Sequence, residues 1–209
     1  MTEINNILDV KKYLDNIKVV IFDLDDTLYS EKEYVKSGYN SVSKLLPQVV
    51  NPMEKMWDFF EKGKSAIDEL LISENIFSEE LKEKCLNTYR FHSPIINFYA
   101  GVRDLLIDLR KEGYKLGIIT DGRVEGQKAK ISALGLEELV DKIIITDELG
   151  GIEFRKPNET SYKIMKDFLD VDYCQMIYVG DNINKDFIAP NKLGIKSIWL
   201  RNEDGLYYK

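Results

Sequence analysis

Unbroken apolar runs punctuate the chain at 18–22 KVVIF, 115–120 KLGIIT, 142–146 KIIIT, 175–180 QMIYVG and 196–200 KSIWL. Such runs suit strands buried on both faces, because half-exposed strands alternate apolar with polar residues. Before and between the last four runs the period lengthens to that of a helix. Val102, Leu105, Leu106 and Leu109 follow the i, i+3, i+4, i+7 rule, and Gly113 is placed to end that helix. Ile131 and Leu134 precede Gly135 in the same manner, while Tyr162, Met165 and Leu169 line a third stripe widened by Ile164 and Phe168. Strands alternating with helices predict an α/β core: a Rossmann-like parallel sheet with helices on both faces. Ligands of such sheets bind beyond the carboxyl ends of the strands.

Residues 31–99 break the alternation. Val35, Tyr39, Val42 and Leu46 recur at helical spacing, as do Met53, Met56, Trp57 and Phe60, then Ile67, Leu70 and Leu71, then Leu81, Cys85 and Tyr89. No strand-like run interrupts them. The pattern predicts an all-helical insert over 31–99, with a core built from 1–30 and 100–209. The aromatics of the insert read as helix-bundle core. The first sixteen residues have weak helical character and read as a packing extension.

Bulk properties narrow the chemistry. The chain has 209 residues, 44% hydrophobic and 31% charged, which fits an ordinary globular protein of one domain with an insert or two small ones. A net charge of −7 argues against a nucleic-acid partner, which calls for a basic face. An anionic substrate must then be drawn by a local cation rather than by the overall field. Cys85 and Cys174 form no CxxC and there is one histidine, so neither a zinc site nor a disulfide framework is expected. No run reaches the roughly 18 apolar residues that a membrane helix needs, and the N-terminus lacks the apolar core of a signal peptide. The expected compartment is the cytoplasm, with no membrane partner.

Chemistry collects at the strand ends. Asp23 and Asp25 follow the first strand two residues apart, so in an extended chain they share a face. Thr120 closes GIIT and precedes Asp121-Gly122. Lys156 lies in EFRKPN after the third strand, and VGDNINKD puts Asp181 and Asp186 just after the fourth. Taken singly, these are a turn or helix cap, a strand-end hydroxyl, a surface lysine and a plain turn. A calcium loop starting at Asp23 fails, because its sixth position is Leu28 and its twelfth Tyr34. Gathered at one sheet edge, the set supplies a nucleophile, an oxygen cage for a metal and cationic donors for phosphate. Two carboxylates about 4 Å apart repel by roughly 4 kcal/mol at an effective dielectric near 20, so a compensating cation or a shifted pKa is expected among them.

FDLDDTL, TDG, KP and GDNINKD, in that order, resemble the four motifs of the haloacid dehalogenase-like (HAD) hydrolase superfamily. The resemblance spans about 18 to 200, and the helical insert resembles the cap of its class I (C1-capped) phosphatases. It implies that Asp23 attacks phosphorus to form an aspartyl phosphate, and that Asp25 protonates the leaving alcohol and then takes a proton from water. It implies that Thr120, with the backbone N–H groups of Asp121 and Gly122, holds phosphate oxygens, and that Lys156 bridges phosphate and nucleophile. Mg²⁺ would be ligated by Asp23, the carbonyl of Asp25 and Asp181, with Asp186 direct or through water; Thr27 would be a positioning residue. The implied substrate is a small phosphorylated metabolite. An ordinary Asp costs about 4 kcal/mol to keep protonated at pH 7, so an apolar cap closing over Asp25 is expected to raise its pKa.

Pro190, in FIAPNKLG, departs from the family's small residues and predicts a following helix that begins late or kinks. Arg90 and His92 in YRFHSP are candidates for phosphate or substrate contact, or else sit on a solvated helix end; Arg123 carries the same ambiguity. A phosphomutase using the same two aspartates is the alternative activity. A dehalogenase needs neither a metal nor an acid at position 25. A receiver domain would need a phospho-accepting Asp ending a middle strand, and residues 31 to 119 hold no such strand.

Overall fold

The computed structural model describes residues 1–206. The chain forms two compact units, one of Met1–Glu31 together with the chain from Asn97 onward, the other of Lys32–Ile96. The first unit is built on a six-stranded sheet: β1 (Thr2–Ile4), β2 (Val19–Phe22), β3 (Lys115–Thr120), β4 (Lys142–Ile145), β5 (Met176–Gly180) and β6 (Lys196–Leu200). The order is β1-β6-β5-β2-β3-β4, and every neighbouring pair is parallel. All four residues of β2 are fully buried, each contributing about 1.5–3 kcal/mol relative to exposure. That is why the run at 19–22 is continuous rather than alternating.

The chain runs outward from β2 to β3 and β4, then returns to β5 on the other side of β2. The carboxyl ends of β2 and β5 therefore flank the point where the winding reverses, the place at which open parallel sheets leave a crevice. β1 departs from the sequence expectation. The extension before residue 16 begins with a strand on the outer edge of β6, pairing Thr2 with Ile198 and Ile4 with Leu200, and only then turns into a 3-10 helix at Ile7–Tyr13.

The second unit consists of helices α1 (Glu31–Ser43, whose first residue belongs to the sheet unit), α2 (Pro52–Glu61), α3 (Ala66–Ser73) and α4 (Glu79–Arg90). Val35, Tyr39, Val42, Met56, Leu70, Leu71 and Cys85 form its buried core, and Trp57, Phe60 and Tyr89 pack against them. Pro52 opens α2, where its missing N–H costs nothing, and the Ser78 hydroxyl caps α4 by accepting from Leu81 N at 3.1 Å. Gly38 is required by contact: a Cβ there would lie 2.5 Å from the Tyr89 ring.

Back in the sheet unit, α5 (Val102–Lys111), α6 (Val124–Leu134), α7 (Thr160–Leu169) and α8 (Ile188–Leu193) cover the strands. Val19 and Ile21 share a face with Tyr162, Met165 and Leu169 of α7, as a period of two requires. Gly117 lets α7 approach closely, since a Cβ would sit 2.7 Å from the Met165 sulfur. Pro190 lies in the first turn of the short α8, the position that tolerates it.

Candidate active site

The Asp23 carboxyl emerges from the buried end of β2. Its backbone N–H donates to Val179 O at 2.8 Å, which extends the β2–β5 ladder by one residue and brings the Asp181 side of β5 alongside. The Asp23 Oδ1 atom accepts from Leu24 N at 2.8 Å and lies 2.8 Å from the Lys156 ammonium. Lys156 is itself fully buried and sits 2.9 Å from Asp186 Oδ1 and 2.9 Å from the Tyr178 hydroxyl. Burial alone would strip its charge, yet Asp186 and Asp23 hold its pKa well above the ordinary lysine value.

One carboxylate oxygen from each of Asp23, Asp181 and Asp186 lies within 4.8 Å of the other two. Asp186 is buried, and its Oδ2 accepts from Asn182 N at 2.9 Å. Gly180 makes room for it, because a Cβ there would lie 2.4 Å from that oxygen. Thr27 Oγ1 is 3.5 Å from Asp181 Oδ1, and the Asp181 carbonyl accepts from the Trp199 indole at 2.9 Å. Burial, then the charges of Asp23 and Asp186, push Asp181 up to about 9. Burial pushes Asp23 up to about 7 against the pull of Lys156. Three carboxylates so placed are uncomfortable as anions, and their all-oxygen donor set fits a hard divalent cation.

Thr120 ends β3, fully buried. The Asp121 side chain ties the next loops together: Oδ1 accepts from Thr146 Oγ1 at 2.9 Å and Lys156 N at 3.0 Å, and Oδ2 accepts from Lys185 Nζ at 2.8 Å. Burial opposes its charge, but Lys156 and Lys185 hold its pKa below the ordinary range. Gly122 adopts φ +142°, and a Cβ there would meet Gln127 Nε2 at 2.9 Å. Asp23, Asp25, Glu31, Asp121, Asp181, Asn182 and Lys185 line a cavity of about 60 Å³ at this rim. A single water needs about 10–15 Å³ of such space, so the cavity has room for an ion and a few waters.

Asp25 lies in different surroundings from those the sequence suggested. Its Oδ1 is 2.7 Å from Lys130 Nζ and accepts from the Tyr29 hydroxyl; its Oδ2 accepts from Gln127 Nε2 at 2.8 Å. Burial works to raise its pKa, but the Lys130 charge and the hydrogen bonds from Gln127, Lys130 and Tyr29 hold it below the ordinary value. The raised pKa falls instead on Glu31, which burial and the Asp25 charge push up to about 8.

The rim of the sheet unit thus gathers Asp23, Asp25, Thr120, Asp121, Gly122, Lys156, Asp181 and Asp186. Arg90 and His92 belong to the helical unit. Arg90 is the half-buried last residue of α4. His92 is buried against the Tyr34 ring at 4.8 Å, with Nδ1 2.6 Å from the Tyr89 carbonyl. Arg123 is exposed just before α6. Glu31, Gln127 and Lys130 join the rim without a motif of their own, and Lys185 joins it from within GDNINKD. The one available signal is the i, i+3 spacing of Gln127 and Lys130 on the helix that follows TDG.

A sheet with this winding, and acidic strand ends beside a buried lysine, define a Rossmann-like α/β protein with an acidic site where the winding reverses. The family model for haloacid dehalogenase-like hydrolases matches residues 20–200, and the chain belongs to that family. It is 26% identical over 202 residues to a glyceraldehyde 3-phosphate phosphatase of Methanothermobacter thermautotrophicus, covering 90% of this chain and 87% of the relative. It is 28% identical over 202 residues to the enzyme of the same name from Pyrococcus abyssi, covering 88% and 82%. Among solved structures, a HAD-superfamily hydrolase from Geobacter sulfurreducens shares the fold with a TM-score of 0.66 at 16% identity, covering 88% and 87% of the two chains. Among the described residues no helix is long and apolar enough to cross a membrane.

Proposed function

We propose that this protein is a Mg²⁺-dependent phosphatase of small phosphate monoesters that works through an aspartyl phosphate on Asp23. The observation that carries the reading is the Asp23 carboxylate held 2.8 Å from a buried lysine, with carboxylates of Asp181 and Asp186 inside 4.8 Å. Asp23, Asp181, Asp186 and the Asp25 carbonyl would hold the cation. When bound, Mg²⁺ supplies the positive charge that lets these carboxylates and a phosphate dianion share one site.

Asp23 attacks phosphorus, the P–O ester bond breaks, and the alcohol leaves with a proton from Asp25. Water then attacks the phosphoryl group and gives a proton back to Asp25, which releases phosphate and regenerates Asp23. Lys156, which keeps its charge despite burial, stabilises the negative charge that moves between Asp23 and the phosphoryl oxygens. Thr120 and the backbone of Asp121 and Gly122 bind those oxygens. In the free chain Asp25 favours its basic form; the incoming dianion adds like charge and raises its pKa toward the acid role. The names of the two phosphatase relatives support a phosphorylated sugar-like metabolite as the substrate class, and the helical unit is the element we assign to substrate selection.

The test is phosphate release over a metabolite panel, with and without Mg²⁺, for the natural protein and Asp23→Asn. Mg²⁺-dependent release that drops by about 10⁴-fold in a folded variant is expected. Equal release by the folded variant rules out Asp23 as the nucleophile.

A further inference from the structure

The motif residues leave unexplained why α6 aims two buried polar side chains at Asp25. Gln127 and Lys130, three residues apart, lie on one face of the helix that starts directly after the Thr120–Gly122 loop, and both are buried. Between them they engage both carboxylate oxygens, Lys130 at 2.7 Å from Oδ1 and Gln127 at 2.8 Å from Oδ2. As a stability device this is poor, because two charges removed from water gain little over an apolar pair of the same volume.

Gln127 is stranger still. Its Nε2 donates to Asp25 Oδ2, to Thr120 Oγ1 at 3.0 Å and to the Asp121 carbonyl, three acceptors for two N–H bonds. Its Oε1 is buried without a hydrogen-bond partner. A helix selected for packing alone has no reason to keep an amide so placed. Gly122 reinforces the point, since any side chain there would displace that Nε2. The amide couples the carboxyl of Asp25 to the hydroxyl and carbonyl of the Thr120 loop. Meanwhile the Asp25 side chain stands outside the three-carboxylate cluster.

We propose that Lys130 and Gln127 are positioning residues that hold the Asp25 carboxyl for proton exchange with the ester oxygen and keep it off the cation site. This rests on the phosphatase reading above. The consequence is specific. Losing Lys130 should slow esters whose alcohol needs a proton to leave, and largely spare those whose leaving group departs as a stable anion.

The experiment measures kcat/KM, which covers the steps through release of the alcohol. The enzymes are the natural protein, Lys130→Met, Lys130→Arg and Asp25→Asn, with Mg²⁺ present. The probes are alkyl phosphates led by glyceraldehyde 3-phosphate, against p-nitrophenyl phosphate. Lys130→Met should lose about 10²-fold on the alkyl esters and less than about 10-fold on the aryl ester, in the same sense as Asp25→Asn. Lys130→Arg should recover most of the alkyl activity. Equal losses on both ester types, or no loss, overturn the proposal while leaving the phosphatase reading intact. No turnover of either probe by the natural protein defeats that reading and the proposal with it. Should Lys130→Met show no folded circular dichroism signal, Lys130→Gln takes its place. Failure of both to fold assigns Lys130 to stability and overturns the proposal.

Discussion

Asp23 and Asp25 stand two residues apart on one loop, yet their surroundings push them in opposite directions. Asp23 faces β5 and meets Asp181 and Asp186, with Lys156 as the counter-charge, and rises to about 7. Asp25 faces α6, meets Lys130 and Gln127, and falls below the ordinary range. A shared motif therefore sets only which groups are present. The element packed against each one sets the direction of its shift, and in the metal-free chain these directions oppose the proposed nucleophile and acid roles, which call for a cation beside Asp23 and a phosphate dianion beside Asp25.

The Asp23 side can be broken most severely at Lys156. Lys156→Met leaves two buried carboxylates without their cation, and the metal-free protein should lose about 3–5 kcal/mol of stability by chemical denaturation. A change within about 0.5 kcal/mol would mean that the lysine charge does not hold this side together.

A smaller effect sharpens the contrast through pH. Asp181 and Asp23 carry raised values when folded, so the metal-free protein holds protons that the unfolded chain has lost. Their contribution to stability therefore falls as pH rises from about 4 to about 9. Asp25 has the opposite sign: its contribution is present above the unfolded value and is lost as pH falls through the folded one. Because a divalent cation competes with protons only on the Asp23 side, the Tm increase given by Mg²⁺ should be larger at about pH 8 than at about pH 5. A Mg²⁺ shift that shrinks with rising pH contradicts the assignment.

The smallest change probes the geometry of the cluster. Gly180→Ala drives a methyl group to within 2.4 Å of Asp186 Oδ2, and should cost about 1–3 kcal/mol and weaken the Mg²⁺-induced Tm shift. An unchanged shift would place Asp186 outside the cation site.

Most of this architecture was legible in the apolar runs, since strands buried on both faces cannot alternate. β1 was not, because a three-residue edge strand in which only Ile4 is buried leaves too short a pattern. The strand-end residues announced themselves through position: Thr120 closes an apolar run, and Asp23 and Asp181 each follow one directly. Lys130 and Gln127 did not, because the apolar residues of α6 form no single stripe from which a buried polar position could be told. The packing of α6 against the Asp25 loop and the Thr120 loop brings them into the site. The environment of Asp25 was misjudged for the same reason. The sequence pointed to an apolar covering, whereas the fold brings a lysine and an amide.

The most direct measurement is mass spectrometry of the enzyme quenched in acid during turnover of a Mg²⁺-supported substrate. A phosphoryl adduct is predicted on the peptide that contains Asp23, chased away on further incubation and absent from Asp23→Asn. Sustained turnover with no such adduct, or an adduct on another peptide, contradicts the account.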